Sequence, residues 1–285
     1  MNHDSGNQDK ANRRRGRVRP APSGSSRPGP GMGQPRAYRV LASEATAGFN
    51  SSFVVREEQT DLWVAVRPAL DGPKAASACL RKVRDLRAAI LRYAAARPDF
   101  IGAMAPLPVD PDAPAIVAAM LEAGQRAGVG PMAAVAGAIA EDVAWYITGA
   151  FGCEAVVVEN GGDIFAVSPE PLDVAILAGD SPISGKLTVR VRSAAGSGDG
   201  VSICTSSGTV GPSRSLGRAD AATVVAAGGA LADALATALG NRIREPGDIE
   251  PALTWLAGVA GAVGGLVVCG GRVGAWVQVE VCPVR

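Results

Sequence analysis

Between Ser51 and Val66 the chain reads SSFVVREEQTDLWVAV, two apolar, β-rich runs around a polar centre, which predicts two strands joined by a turn in a segment that is β-like from Tyr38 onward. The period then changes. In ASACLRKVRDLRAAILRYAAARPDF, Leu80, Val83, Leu86, Ile90 and Leu91 recur at helical spacing while Arg and Lys fill the other face. A shorter helix is expected over residues 112–124, entered through PDAP, and a third over residues 131–148 with proline in its opening turn. Alternation by two returns in EAVVVEN, DIFAVS, LDVAILA, KLTVRVRS and GVSICTS, five short strands. In the fourth, Lys186, Thr188, Arg190 and Arg192 alternate with Leu187, Val189 and Val191, so one face is wet. GALADALATALGN predicts a helix ending near Asn241, and GGRVGAWVQVEVCP a closing hairpin. Strands in a block, flanked by blocks of helix, predict an α+β fold of mainly antiparallel sheets packed with helices.

Composition adds a boundary. The net charge of +1 hides nine Lys or Arg in residues 1–40 against Asp4 and Asp9, leaving 19 bases and 25 acids in the rest. The basic stretch RRRGRVRPAPSGSSRPGPGMGQPR has no apolar period and cannot offset the entropy of ordering. Residues 1–37 are therefore expected to be a disordered basic tail, with one domain over residues 38–285. No aromatic residue is interleaved with its arginines, so no nucleic-acid partner is expected. No secretory signal is evident, and the most apolar stretch, residues 253–270, is broken by glycines and reads as buried core, not as a membrane span. Five cysteines (Cys79, Cys153, Cys204, Cys269 and Cys282) without a CxxC pair suggest reduced thiols in a cytoplasmic protein. The one histidine, His3, lies in the tail, which argues against Ser-His-Asp or Cys-His catalysis and histidine-bound metals. Carboxylates, hydroxyls, Lys or Arg, and backbone amides remain.

Three segments carry that chemistry. ENGGDIFA, from Glu159, reads as a hairpin turn, Asn-Gly being a strong signal for one, or as part of a site. ICTSSGTVGPSRSLGRADA, from Ile203, offers the hydroxyls of Thr205, Ser206 and Ser207 and the amides around Gly208 and Gly211 to an anion; the alternative is a plain loop. It is no P-loop, since Pro212 follows Gly211 and no Lys-Ser or Lys-Thr appears. In ADALATAL, Asp233 and Thr237 share a helix face and suit a hard cation such as Mg²⁺, or serve packing alone.

GAIAE at residues 137–141, ENGGDI, CTSSG and ADALATAL follow the motif order of the ApbE-like superfamily, the magnesium-dependent FAD:protein FMN transferases with a T-fold-like body. VGPMAAVAGAIAE, ENGGDIF and ICTSSGTVG more closely resemble its UPF0280 branch, and the resemblance runs from about Tyr38 to the C-terminus. It implies FAD between two lobes. Mg²⁺ would be held by Asp233, Thr237 and a backbone carbonyl of the GAIA segment, assigned to Ala138. Gly161, Gly162 and Asp163 would line the nucleotide, Thr205, Ser206, Ser207 and Gly208 would face it, and Arg214 would pair with phosphate, as could Arg218. The implied reaction passes FMN to a threonine of an acceptor protein and releases AMP, or is a related phosphoester chemistry on a flavin nucleotide. The chain also departs from the family: Glu141, followed by Asp142, stands where the transferases carry the Lys of GAIAKG, and GPSRSLGRADA replaces the His-bearing HIIDP segment, with Pro212 where relatives have His. A non-enzymatic flavin- or nucleotide-binding module is the rival expectation, a packing scaffold the third. Oligomeric state is left open.

Overall fold

The computed structural model describes residues 48–192, 199–208, 216–277 and 280–283. The expected tail and Arg214 lie outside them. Two strands open the fold, β1 (Ser51–Glu57) and β2 (Thr60–Arg67), paired antiparallel. The long helix α1 (Gly72–Ala96) follows, its start fixed by Asp71, whose side chain accepts from Lys74 N at 3.1 Å. It buries Cys79, Val83, Leu86 and Ile90 and stops before Pro98, which disfavours helix at the residue preceding it. Helix α2 spans Ala115–Ala127 and ends on Gly128 in the left-handed conformation. A short 3-10 turn, Pro131–Ala134, leads into α3 (Val135–Phe151).

Five strands come next: β3 (Ala155–Asn160), β4 (Asp163–Val167), β5 (Leu172–Ala175), β6 (Leu187–Val191) and β7 (Val201–Ser206). Then follow β8 (Ala221–Ala226), α4 (Gly229–Asn241), α5 (Ile249–Ala257), β9 (Ala262–Cys269), β10 (Arg272–Val277) and β11 (Glu280–Pro283). The expected hairpin near the C-terminus is β9 with β10, while β11 leaves it to pair with β6.

Eight strands form one antiparallel sheet in the order β1-β2-β3-β4-β7-β8-β9-β10, and β11-β6-β5 form a second, also antiparallel. The pleat sorts the large sheet's side chains into two cores. Val64, Val156, Val158, Phe165, Cys204 and Val224 join the helices on one side. Ala65, Val157, Ile203 and Val225 join Val189 and Val191 of the small sheet on the other. The molecule is thus helices, large sheet, small sheet, an α+β fold as expected. Among the described residues no single helix is long and apolar enough to cross a membrane, and all five cysteines are free.

Candidate functional site

The ENGGD segment is a tight hairpin. Asn160 and Asp163 face each other across it, and Gly161 and Gly162 adopt φ of 75° and 108°, which side chains other than glycine's resist. Glu159 Oε1 accepts from Gly162 N at 2.8 Å. The turn reading therefore holds, and the same turn presents chemistry. Because side chains alternate along a strand, Asn160 and Asp163 lie on the helix side of the large sheet, whereas Glu159 lies toward the small sheet.

Over this end of the sheet cross α3 and α4. Asn160 Nδ2 donates to Ala136 O at 3.0 Å, which ties the hairpin to the first turn of α3. Gly137 N donates to Asp233 Oδ2 at 2.9 Å, and the Ala136 amide donates to the same carboxylate. From α3, Glu141 Oε2 accepts from Gly229 N at 2.7 Å at the start of α4. The helices touch backbone to backbone: a Cβ on Gly137 would stand 2.1 Å from Gly229 O, and one on Gly229 would stand 2.3 Å from Gly137 O.

Asp163 and Asp233 are 8% and 9% exposed. Burial and the neighbouring Asp233 charge push the Asp163 carboxyl well above its usual range, against weaker help from the Cys204 thiol and the Thr205 amide. Burial also pushes Asp233 up, to about 7. Cys204, opposite Asp163 in register, is raised by burial and by both carboxylates, so it is a thiol. Among the described residues, no Lys or Arg pairs with either aspartate. Two buried carboxylates side by side without a cation fit a hard divalent ion. No group of three His, Cys, Asp or Glu side chains is arranged to cage a metal among the described residues.

Thr237 lies one turn beyond Asp233 and is half-buried. Ala138 is buried near the start of α3, where helical pairing aims its carbonyl at the Asp142 amide. The hydroxyl-rich segment does not act as one surface. Thr205 and Ser206 belong to β7 and point to opposite sides of the sheet. The Thr205 hydroxyl is spent on Thr223 Oγ1, 2.9 Å away, and its backbone N–H serves Asp163. Ser206 is buried on the helix side, and Gly208 N donates to Ala219 O at 3.0 Å. Arg218 is exposed and is held by its own amide on Ile243 O.

Sequence reasoning missed a groove of about 340 Å³ on the other side of Asn160, between α1 and α3. Ile90, Leu91, Met132 and Ile139 form its apolar wall, and Thr60, Arg87 and Asn160 its polar end. Arg87 is oriented there by hydrogen bonds to Thr60 (3.1 Å) and Gln59 (2.9 Å). These residues come from five separate elements, so no local pattern marks them.

Fold and site together define an α+β protein with an uncompensated pair of buried aspartates beside an amphipathic groove. The chain matches the family model described as AbpE bacteria over residues 43–254, and it belongs to that family and to its UPF0280 branch. The UPF0280 protein of Methanosarcina barkeri is 38% identical over 231 residues, 80% of this chain and 89% of the relative. That of Methanocella arvoryzae is 39% identical over 199 residues, 70% and 79% of the two chains. That of Methanosphaerula palustris is 45% identical over 186 residues, 65% and 75%. Among solved structures, the flavinyl transferase ApbE of Pseudomonas stutzeri superposes with a TM-score of 0.45 at 16% identity, covering 79% of this chain and 93% of its own. The flavin transferase ApbE from Vibrio cholerae does so with 0.45 at 13%, covering 79% and 96%.

Proposed function

We propose that the chain binds a flavin nucleotide together with Mg²⁺ at the buried Asp163–Asp233 pair, and that it transfers FMN from FAD to a threonine of an acceptor protein. The observation that carries this reading is the pair of buried aspartates with no basic partner, next to a groove of a size suited to a small molecule. Asp233 and Thr237 are the residues of this chain proposed to hold the ion, with Ala138 as the backbone contributor and Asp163 beside them. Bound there, Mg²⁺ supplies charge neutralisation for pyrophosphate oxygens. Gly161, Gly162, Asp163 and the residues Ser206 to Gly208 at the end of β7 and just beyond it line the nucleotide in this reading. In the transfer, the threonine oxygen forms a bond to the FMN phosphorus, the pyrophosphate P–O bond breaks, AMP leaves, and the hydroxyl proton passes to a carboxylate of the pair.

A second reading, flavin binding without transfer, is favoured by one observation. Glu141, standing where the transferases carry lysine, is engaged with the start of α4, so no cation stands there to meet a phosphate. Calorimetric titration of FAD into wild type and Asp233→Asn, each with Mg²⁺ and with EDTA, tests the site. Tight binding only by wild type with Mg²⁺ is expected; equal affinities in all four titrations, or no binding to wild type, sink it. Release of AMP in the presence of a threonine-bearing acceptor separates transfer from binding.

A further inference from the structure

Neither helix at the crossing caps itself. The residue before α4 is Gly228, which has no side chain to offer, and the residue before α3 is Ala134, whose methyl accepts nothing. Each helix instead receives its acceptor from the other. Glu141 of α3 takes the amides of Gly229 and Ala230, and Asp233 of α4 takes those of Ala136 and Gly137. The indole N–H of Trp145 donates to the Glu141 carboxylate and holds it in place. Between the two carboxylate straps lies the direct Gly137–Gly229 backbone contact.

We propose that Glu141 is a positioning residue of the candidate site, acting through α4: by closing the start of that helix it fixes the register in which Asp233 reaches the first turn of α3 and stands beside Asp163. The proposal rests on the reading that Asp233 belongs to a Mg²⁺ and flavin-nucleotide site. Gly229 and Asp233 are four residues apart, about one turn and 6 Å along the axis, so a shift that frees the Gly229 amide also carries Asp233 away from Gly137. A lysine at position 141 could not do this, because the groups to be satisfied are N–H donors and only an acceptor meets them. The exchange of the family lysine for glutamate is thus a change of task. It turns a cation near phosphate into a strap between helices, and it fills the positive end of α4 with the chain's own carboxylate, leaving that helix end closed to a ligand anion.

The full-length chain tests this with Glu141→Ala and Glu141→Gln, the amide oxygen of Gln being able to keep the cap. Glu141→Ala should weaken Mg²⁺-dependent FAD binding about tenfold or more, the size expected when hydrogen bonds to a charged group are lost. Glu141→Gln should recover most of that loss, as should formate added to Glu141→Ala, a carboxylate small enough for the vacated place. Affinity of Glu141→Ala within about twofold of wild type, or a folded Glu141→Gln no better than Glu141→Ala, overturns the proposal. Should Glu141→Ala not fold, Glu141→Ser, too short to reach Gly229, takes its place. If wild type does not bind FAD with Mg²⁺, the flavin reading fails, and the strap is judged by urea unfolding of Glu141→Ala, Asp233→Ala and the double variant. Non-additive losses of stability then support the coupling of the two carboxylates, and additive losses overturn it.

Discussion

On the small sheet Asp173 lies directly opposite Arg190, which reaches its two carboxylate oxygens at 2.7 and 2.8 Å, with Glu280 a further 3.5 Å partner of the same guanidinium. On the large sheet Asp163 also has cross-strand partners, but these are the uncharged Asn160 and Cys204, and the nearest charges are the carboxylates of Asp233 and Glu159. Both are aspartates on antiparallel strands. One is half-exposed and neutralised by its neighbour; the other is buried among like charges. Folding alone favours the first arrangement, since a buried unpaired carboxylate costs free energy until it takes up a proton or a cation. The large sheet therefore carries, at one end of its helix-covered face, an electrostatic cost that a ligand can relieve.

Substitutions can break that contrast or sharpen it. The largest effect is expected at the crossing that forms the aspartate pair. Gly137→Ala would drive a methyl into the backbone of Gly229, and urea unfolding should show a loss of about 3 kcal/mol or more. A change of a few tenths would mean that the helices part easily and that the pair is not held by them.

Next comes pH. Asp233 titrates higher in the folded chain than in the unfolded one, so its contribution to stability is fully present below the unfolded value near 4 and is lost as pH rises through about 7. Metal-free protein should lose on the order of 4 kcal/mol across that window, by the conversion of roughly 1.4 kcal/mol per pKa unit. Asp233→Asn should flatten the slope, and Mg²⁺ with FAD should restore stability at the upper end for wild type only. A stability that rises with pH between 4 and 7 would contradict the buried-acid account.

Smaller still is Thr205→Val, which removes the hydroxyl pair with Thr223 at a cost of about 1 kcal/mol while leaving flavin affinity unchanged, because that hydroxyl lies on the far side of the sheet. Ser206→Ala, on the near side, should lower affinity instead. Equal effects of the two on binding would mean the pleat does not separate them. Arg190→Ala, which removes a half-buried two-pronged ion pair, should cost no more stability than Thr205→Val does, a salt-screened change that leaves flavin affinity untouched. A large loss there would erase the difference between the two sheets.

How far these features are visible along the chain depends on whether they are local. Strands β3, β4, β6 and β7 stand out from their alternation and β-branched residues, whereas β8 does not, because AATVVA is buried throughout and has no polar side to set a period. Helix α2 runs three residues later than its apolar spacing suggests, starting after Pro114 and stopping at Gly128. Helix α5 is hidden in an apolar run that reads only as core. The glycine turn of ENGGD declares itself in four letters. The meeting of Asp163 with Asp233 is brought about by the path of the sheet and the α3–α4 crossing, and only the family motifs point to it. Thr205 and Ser206 look like one hydroxyl patch until the pleat divides them, and Glu141 looks like a misplaced charge until the amides of α4 come into view.

The contact between Gly137 and Gly229 also bears on the paths open to this lineage. In each case the obstacle to a side chain is a carbonyl of the opposite main chain, an atom common to every amino acid. No exchange at the facing position can therefore make room, and neither glycine can drift with a compensating partner, as two packed side chains do. A library that varies α3 and α4 freely would be emptied at these two sites first, whatever it allowed elsewhere. Innovation around the site is thereby directed to the residues that hang from the crossing, such as Glu141 and Asp233, whose chemistry can change while the crossing stays in place.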